Sequence, residues 1–154
     1  MLFLQFQLGK DRYVLDSANV VEVLPLLGIK QIPQAPAGVA GVFNYRGTPV
    51  PVIDLSELVL GRPARLQMST RIIIVLYPDG DGAQHPLGLI AEKTTQTLRR
   101  DPADFRDSGV LSHEAAYLGP VATDPDGLLQ WIQVAGLLPA SVRHVLFKQA
   151  LEQT

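Results

Sequence analysis

Along the first hundred residues, apolar positions come in short bursts that alternate with polar ones or fill both faces of a brief run, and glycine, proline or aspartate closes each burst. Leu4, Phe6 and Leu8 alternate with Gln5 and Gln7, the period of a half-buried strand. Gly9-Lys10-Asp11-Arg12 turns that strand into Tyr13 to Leu15, and VVEVL at 20–24 is a further strand that Pro25 blunts. After an irregular connection over 31–37, Gly41 to Phe43 and Val50 to Ile53 flank Asn44-Tyr45-Arg46-Gly47, which predicts a β-hairpin whose turn needs positive φ. Pro49 and Pro51 remove donors from one side of the second strand only, so this strand is expected at an edge with one paired side. Asp54, with Glu57 three residues on and Gly61 at the end, brackets a short helix.

RIIIVLY at 71–77 is apolar on both faces and reads as a central strand. A tight DGDG loop leads to a strand at 86–91 that the polar TTQT at 94–97 continues. A helical turn is expected over 102–107. Strands at 117–123 and 128–134 flank Asp124-Pro125-Asp126-Gly127, and Ser141 is the expected cap of a final amphipathic helix with Val142, Val145, Leu146 and Ala150 on one side. Many short strands separated by turn signals predict an all-β barrel architecture. The segment LGPVATDPDGLLQWIQVAGLL also repeats the plan of AGVFNYRGTPVPVIDLSEL: glycine, apolar strand, turn with glycine, apolar strand, short leucine-bearing helix.

Composition narrows the function classes. The 154 residues suit one domain, and 47% apolar against 18% charged residues gives a globular core. A net charge of −2 leaves no basic footprint for nucleic acid. With no cysteine, disulfides and thiolate zinc sites are excluded, and a reducing compartment is compatible. MLFLQFQLGKDRY lacks the basic start and long apolar stretch of a signal peptide or membrane span, so neither is expected there.

Catalytic patterns are missing. There is no phosphate-cradling glycine loop and no G-x-S-x-G elbow. DGDG begins like a calcium loop, but Ile90 stands where the bidentate glutamate belongs, so a turn is the better reading. His85, His113 and His144 are scattered, and Ser112-His113-Glu114 are chain neighbours that rarely orient as a triad must. No catalytic residue, metal or cofactor is assigned.

GVFNYRGTPVPVIDL closely resembles the signature hairpin of CheW-like coupling domains: glycine, apolar pair, asparagine, apolar residue, Arg-Gly, then an apolar run ending in Pro-x-x-Asp-Leu. FLQFQLGKDRYVLD resembles the family's first hairpin, VVEVL its Val-x-Glu-apolar strand, and IPQAPAGVAGV its proline-spaced connection. TRIIIVLY, HPLGLIAE and LLQWIQVAGLL fall where its later strands belong, so the resemblance spans nearly the whole chain.

The resemblance implies two packed five-stranded SH3-like β-barrels with a few short helices and a C-terminal helix, intertwined in a single domain over residues 1–154. It implies a non-catalytic adaptor that joins the cytoplasmic tip of a methyl-accepting chemoreceptor to the regulatory domain of a CheA-type histidine kinase. Self-association is compatible with it. Position by position, Val20 and Glu22 match the strand implicated in receptor contact, and Arg46 matches the signature arginine. The connection bearing Leu24, Leu26, Leu27 and Ile29 is the candidate for apolar kinase contact. Alternative assignments are a core role for Val20, a solvated Glu22, a turn-bracing Arg46 and leucines buried between the barrels.

Glu92, Thr94, Thr97, Gln130 and Gln133 depart from the family pattern, which bears on contacts of the second barrel and points toward an accessory coupler of the Wsp type. A competing class is a β-barrel that binds a small ligand in the groove between barrels. It would need convergent polar groups that the sequence does not offer. A small hydrolase built on Ser112-His113-Glu114 is a third.

Overall fold

The computed structural model describes residues 1–79, 81–109 and 115–152, with the side chains of Thr95 and of residues 148–152 excepted. Ten strands dominate: β1 (Leu2–Leu8), β2 (Asp11–Asp16), β3 (Val20–Pro25), β4 (Ile29–Lys30), β5 (Val39–Tyr45), β6 (Thr48–Asp54), β7 (Arg71–Pro78), β8 (Gln84–Arg99), β9 (Leu118–Asp124) and β10 (Gly127–Ile132). Among the described residues, helices are confined to α1 (Leu55–Leu60), α2 (Ala140–Glu152) and three 3₁₀ turns. The all-β class expected from the patterning holds, with strand content far above the globular average of roughly a quarter.

The strands fall into two groups joined by β8. Its first half pairs with β7 and, in parallel, with β6. Its second half pairs with β1. At the crossover the β1–β8 register shifts, and Lys93 takes φ 48. One group therefore holds β3 to β7, and the other holds β1, β2, β9 and β10.

Strand periodicity divides the apolar side chains among four clusters, one of them Val52, Ala64 and Ile90. Ile72 and Ile74 of β7 point into a small cluster with Val50, inside the first group. Ile73 and Val75 point the other way, into a large central core with Leu4, Phe6, Leu15, Leu87 and Leu89. Phe3, Val14, Phe105, Ala122 and Leu129 fill the second group. RIIIVLY is apolar on both faces because each face seals a different core. Leu146 and Phe147 bring α2 onto the central core. Each fully buried aliphatic or phenyl side chain contributes about 1.5–3 kcal/mol.

The internal echo is visible in the pairing. β5–β6 is an antiparallel hairpin whose second strand pairs in parallel with β8 and runs into α1. β9–β10 is an antiparallel hairpin whose second strand pairs in parallel with β2 and then leads to the 3₁₀ turn Val134–Gly136.

Two expectations need correction. β6 is not an edge along its whole length, because Val52–Asp54 pair with Gly88–Ile90 while Thr48–Ile53 pair with β5. The prolines explain the division: Ile53, two residues past Pro51 on the same side, is the first donor that side can offer. Ser141 is not the cap of α2. The helix begins at Ala140, and the Arg143 N–H donates to the Pro139 carbonyl at 2.9 Å.

In the second group, Arg12 makes a two-point ion pair with Asp124, at 2.5 and 2.9 Å. The hydrogen bond from Arg12 holds the Asp124 carboxyl below its ordinary range, with backbone donation from Asp126 and the charges of Arg12 and Arg100 in support. A depressed folded value means the pair stabilises the fold fully above the unfolded aspartate pKa of about 3.9 and loses that effect as pH falls below it. Thermal melts of Asp124→Asn should therefore show a shallower acid limb below about pH 4 than the parent chain. Parallel acid limbs would show that the pair contributes nothing.

Candidate functional site

The signature hairpin turns in two residues. Arg46 takes φ 51 and Gly47 φ 87, the double positive φ of a type I′ turn that matches the twist of its strands. Asn44 accepts the Gly47 N–H on its side-chain oxygen at 2.8 Å. Asparagine, aspartate and glycine are the usual residues at the first turn position, so an arginine there holds a sparsely populated conformation. Gly41, at the start of the motif, has φ 153, and a Cβ on it would lie 2.1 Å from the Lys30 carbonyl oxygen. The motif's glycine is thus fixed by the approach of β4.

Arg46 reaches across to β3. Its Nη2 donates to Glu22 Oε2 at 3.1 Å, and the same oxygen accepts the Tyr45 hydroxyl at 2.5 Å. The guanidinium carbon stands 5.2 Å from the centre of the Tyr45 ring. The hydrogen bond to Glu22 is the main reason the Tyr45 hydroxyl titrates above its ordinary value. The structure thus brings together two of the three predicted receptor-contact residues and adds Tyr45, which sequence reasoning left as part of the turn. Only a tyrosine one residue before the signature arginine could have signalled it. Val20 stands apart, half-buried against the central core. The Arg46 side chain is 74% exposed, and among the described residues its hydrogen bond goes to Glu22 on β3 and not to a hairpin carbonyl.

The four kinase-contact candidates separate. Leu24 lies on β3 opposite Ile72, and with Leu26 and Ile29 it packs against Val50, Ile72 and Ile74. These three are half-buried, whereas Leu27 is 69% exposed. Three of the four are thus partly covered, because the small core of the first group takes up those side chains. Phe43 and Tyr45 stack at 6.5 Å and border the same core, so Tyr45 touches both the Glu22–Arg46 cluster and the apolar set.

Leu24, Leu26 and Leu27 line a cleft of about 860 Å³ together with Leu66, Met68 and Arg71, which pairs with Pro25 across β3 and β7. The departures from the family pattern lie mostly inside. Glu92 is buried and accepts from Ser56 Oγ at 3.3 Å and Arg62 Nη1 at 3.4 Å. Thr94 is buried and donates to the Ala91 carbonyl, while Gln130 donates to the Gly119 carbonyl. Only Thr97 and Gln133 are exposed, so the other changes act through packing.

The loop after β7 is structural. Asp79 accepts the Asp81 and Ala83 N–H groups and pairs with His85 at 2.9 Å, which makes it a turn former. Gly80 of that loop and the Ser112-His113-Glu114 set lie outside the described residues. Among the described residues no three His, Asp or Glu side chains gather as a metal set, and no helix is long and apolar enough to cross a membrane.

The model of the CheW-like domain matches residues 2–142. The chain belongs to the CheW-like domain family. It is 30% identical over 104 residues to the chemotaxis protein CheW of Helicobacter pylori, a stretch covering 67% of this chain and 59% of that protein. It is 32% identical over 100 residues to the protein FrzA of Myxococcus xanthus, covering 65% of this chain and 59% of FrzA. The chain therefore matches less than two thirds of the length of these CheW-like relatives. The fold is similar to the crystal structure of the scaffolding protein TtCheW from Thermoanaerobacter tengcongensis, with a TM-score of 0.78, 25% identity, and coverage of 92% of this chain and 89% of that one.

Proposed function

We propose that this chain is a non-catalytic cytoplasmic adaptor that couples the helical tip of a chemoreceptor to the regulatory domain of a CheA-type histidine kinase. It works as a single CheW-like domain whose two strand groups act as barrel subdomains. The observation that carries this reading is the Glu22–Tyr45–Arg46 cluster, a solvent-facing charged group on a strand and a stiff hairpin in a fold similar to a scaffolding protein. A planar guanidinium beside a carboxylate can exchange its internal bond for carboxylates or carbonyls on a partner helix. The apolar residues from Leu24 to Ile29 supply the kinase contact, and Tyr45 lies between the two surfaces. Co-purification with the receptors and kinases encoded beside its gene tests the proposal. Recovery of both classes supports it, and recovery of neither removes it.

Arg46→Ala separates recognition from bracing. The exposed Arg46–Glu22 pair contributes at most about 1 kcal/mol to stability, and alanine at the same φ leaves the backbone strain unchanged. The melting temperature should stay within a few degrees, while affinity for the receptor tip falls by about 1–2 kcal/mol. Arg46→Lys should recover only part of that affinity, because an ammonium lacks the planar fork. Lost stability with unchanged affinity would make the arginine structural.

A further inference from the structure

The connection from α1 to β7, residues 61–70, is anchored inward by several polar contacts and leaves its two large apolar side chains outward. Asp54 Oδ2 accepts the Ala64 N–H at 2.9 Å, Arg62 pairs with the buried Glu92 at 3.4 Å, and the Thr70 hydroxyl donates to the Arg65 carbonyl. The Thr94 N–H, on the neighbouring strand, donates to the Ser69 carbonyl at 2.9 Å. Ala64 is buried against Val52 and Ile90. A connection tied at this many points has little freedom to fold its side chains away. Yet Leu66 is 83% and Met68 98% exposed.

With Leu27, these are the three most exposed large apolar side chains among the described residues, and all three line the same cleft. Scattered exposed leucines are ordinary; three large apolar side chains lining one concavity mark an interaction site. The charge around it has one sign. Arg71 lines the cleft and Arg65 adjoins Leu66, no carboxylate lines it, and among the described residues neither arginine forms a salt bridge.

We infer that Leu66, Met68 and Leu27 form a fixed jaw that grips an apolar ridge of a folded protein partner, with Arg71 meeting a carboxylate beside that ridge. A concave site with rigid walls suits a protruding ridge. The unpaired cations call for an acidic flank. This rests on the adaptor reading above, under which the partner is the kinase regulatory domain. It adds the α1–β7 connection to a surface so far assigned only to residues 24–29.

The test is titration of the full chain with the isolated kinase regulatory domain. The double variant Leu66→Ser/Met68→Ser should bind about thirtyfold more weakly or worse, and Arg71→Glu about tenfold more weakly. Both should keep the parent's melting temperature and its affinity for the receptor tip, since the altered side chains lie in solvent. Binding by the double variant within about twofold of the parent overturns the inference. In that event Leu27→Ser distinguishes the two levels. If it weakens kinase binding, the adaptor reading stands without the jaw. If it too is silent, the kinase assignment of this face falls as well. Loss of sedimentation with phosphatidylserine vesicles, or of self-association, in the double variant with kinase binding intact would assign the jaw to a lipid surface or a second copy and equally overturn the inference.

Discussion

Glu22→Lys should weaken binding of the chemoreceptor tip by about a hundredfold, or roughly 2–3 kcal/mol, while kinase binding stays within about twofold. The effect exceeds that of Arg46→Ala because one oxygen of Glu22 accepts from both Tyr45 and Arg46. A lysine there places two cations side by side, leaves the Tyr45 hydroxyl without its acceptor and swings the hairpin arginine away. Glu22→Gln keeps an acceptor for Tyr45 but removes the charge, so it should fall between the parent and Glu22→Lys. Titrations of the three chains against receptor tip and kinase domain check the order. Equal losses for both partners would show damage to the small core that Tyr45 borders instead of a lost receptor contact.

Asp54→Ala should destabilise the chain by about 2–4 kcal/mol, lowering the melting temperature by roughly 5–15 °C. Asp54 closes the signature motif and is buried, with one oxygen accepting the Ser56 and Glu57 N–H groups at the start of α1 and the other accepting the Ala64 N–H. Removing it takes away a helix cap, about 1 kcal/mol, and strands a buried donor, about 1–3 kcal/mol more. Asp54→Asn retains the cap through its carbonyl oxygen but turns its amide NH2, a donor, toward the Ala64 N–H, so it should recover only the cap's share. Thermal melts of both variants decide this. A loss below about 1 kcal/mol for Asp54→Ala would mean that the connection from α1 to β7 does not depend on this carboxylate.

These two residues show what the sequence made legible. Asp54, Glu57 and Gly61 bracket α1 as read, because capping is local: the acceptor, its donors and the left-handed glycine at φ 75 lie within eight residues. The strand pattern of β7 was equally plain, since a both-faces apolar run admits few other fates. What sequence could not show is long-range placement. The parallel partner of β6 sits more than thirty positions away, so the two prolines signal an edge that in the fold ends halfway along the strand. The family resemblance singled out Glu22 and Arg46, but their meeting depends on how β3 stands beside the β5–β6 hairpin. Nor did any local rule mark Tyr45 as a partner of Glu22. Leu66 and Met68 carry no periodicity at all, and their exposure follows from inward-facing anchors on Asp54, Glu92 and Thr94.

The adaptor account stands on simultaneous binding through separate faces. A chemoreceptor-tip hairpin fixed to a sensor surface, saturated with this chain and then exposed to the kinase regulatory domain, tests that directly. The account predicts a further, saturable mass increase from the kinase domain that requires the chain and disappears when Glu22→Lys replaces the parent. Displacement of the chain by the kinase domain, or no increase beyond a surface without the chain, would contradict it.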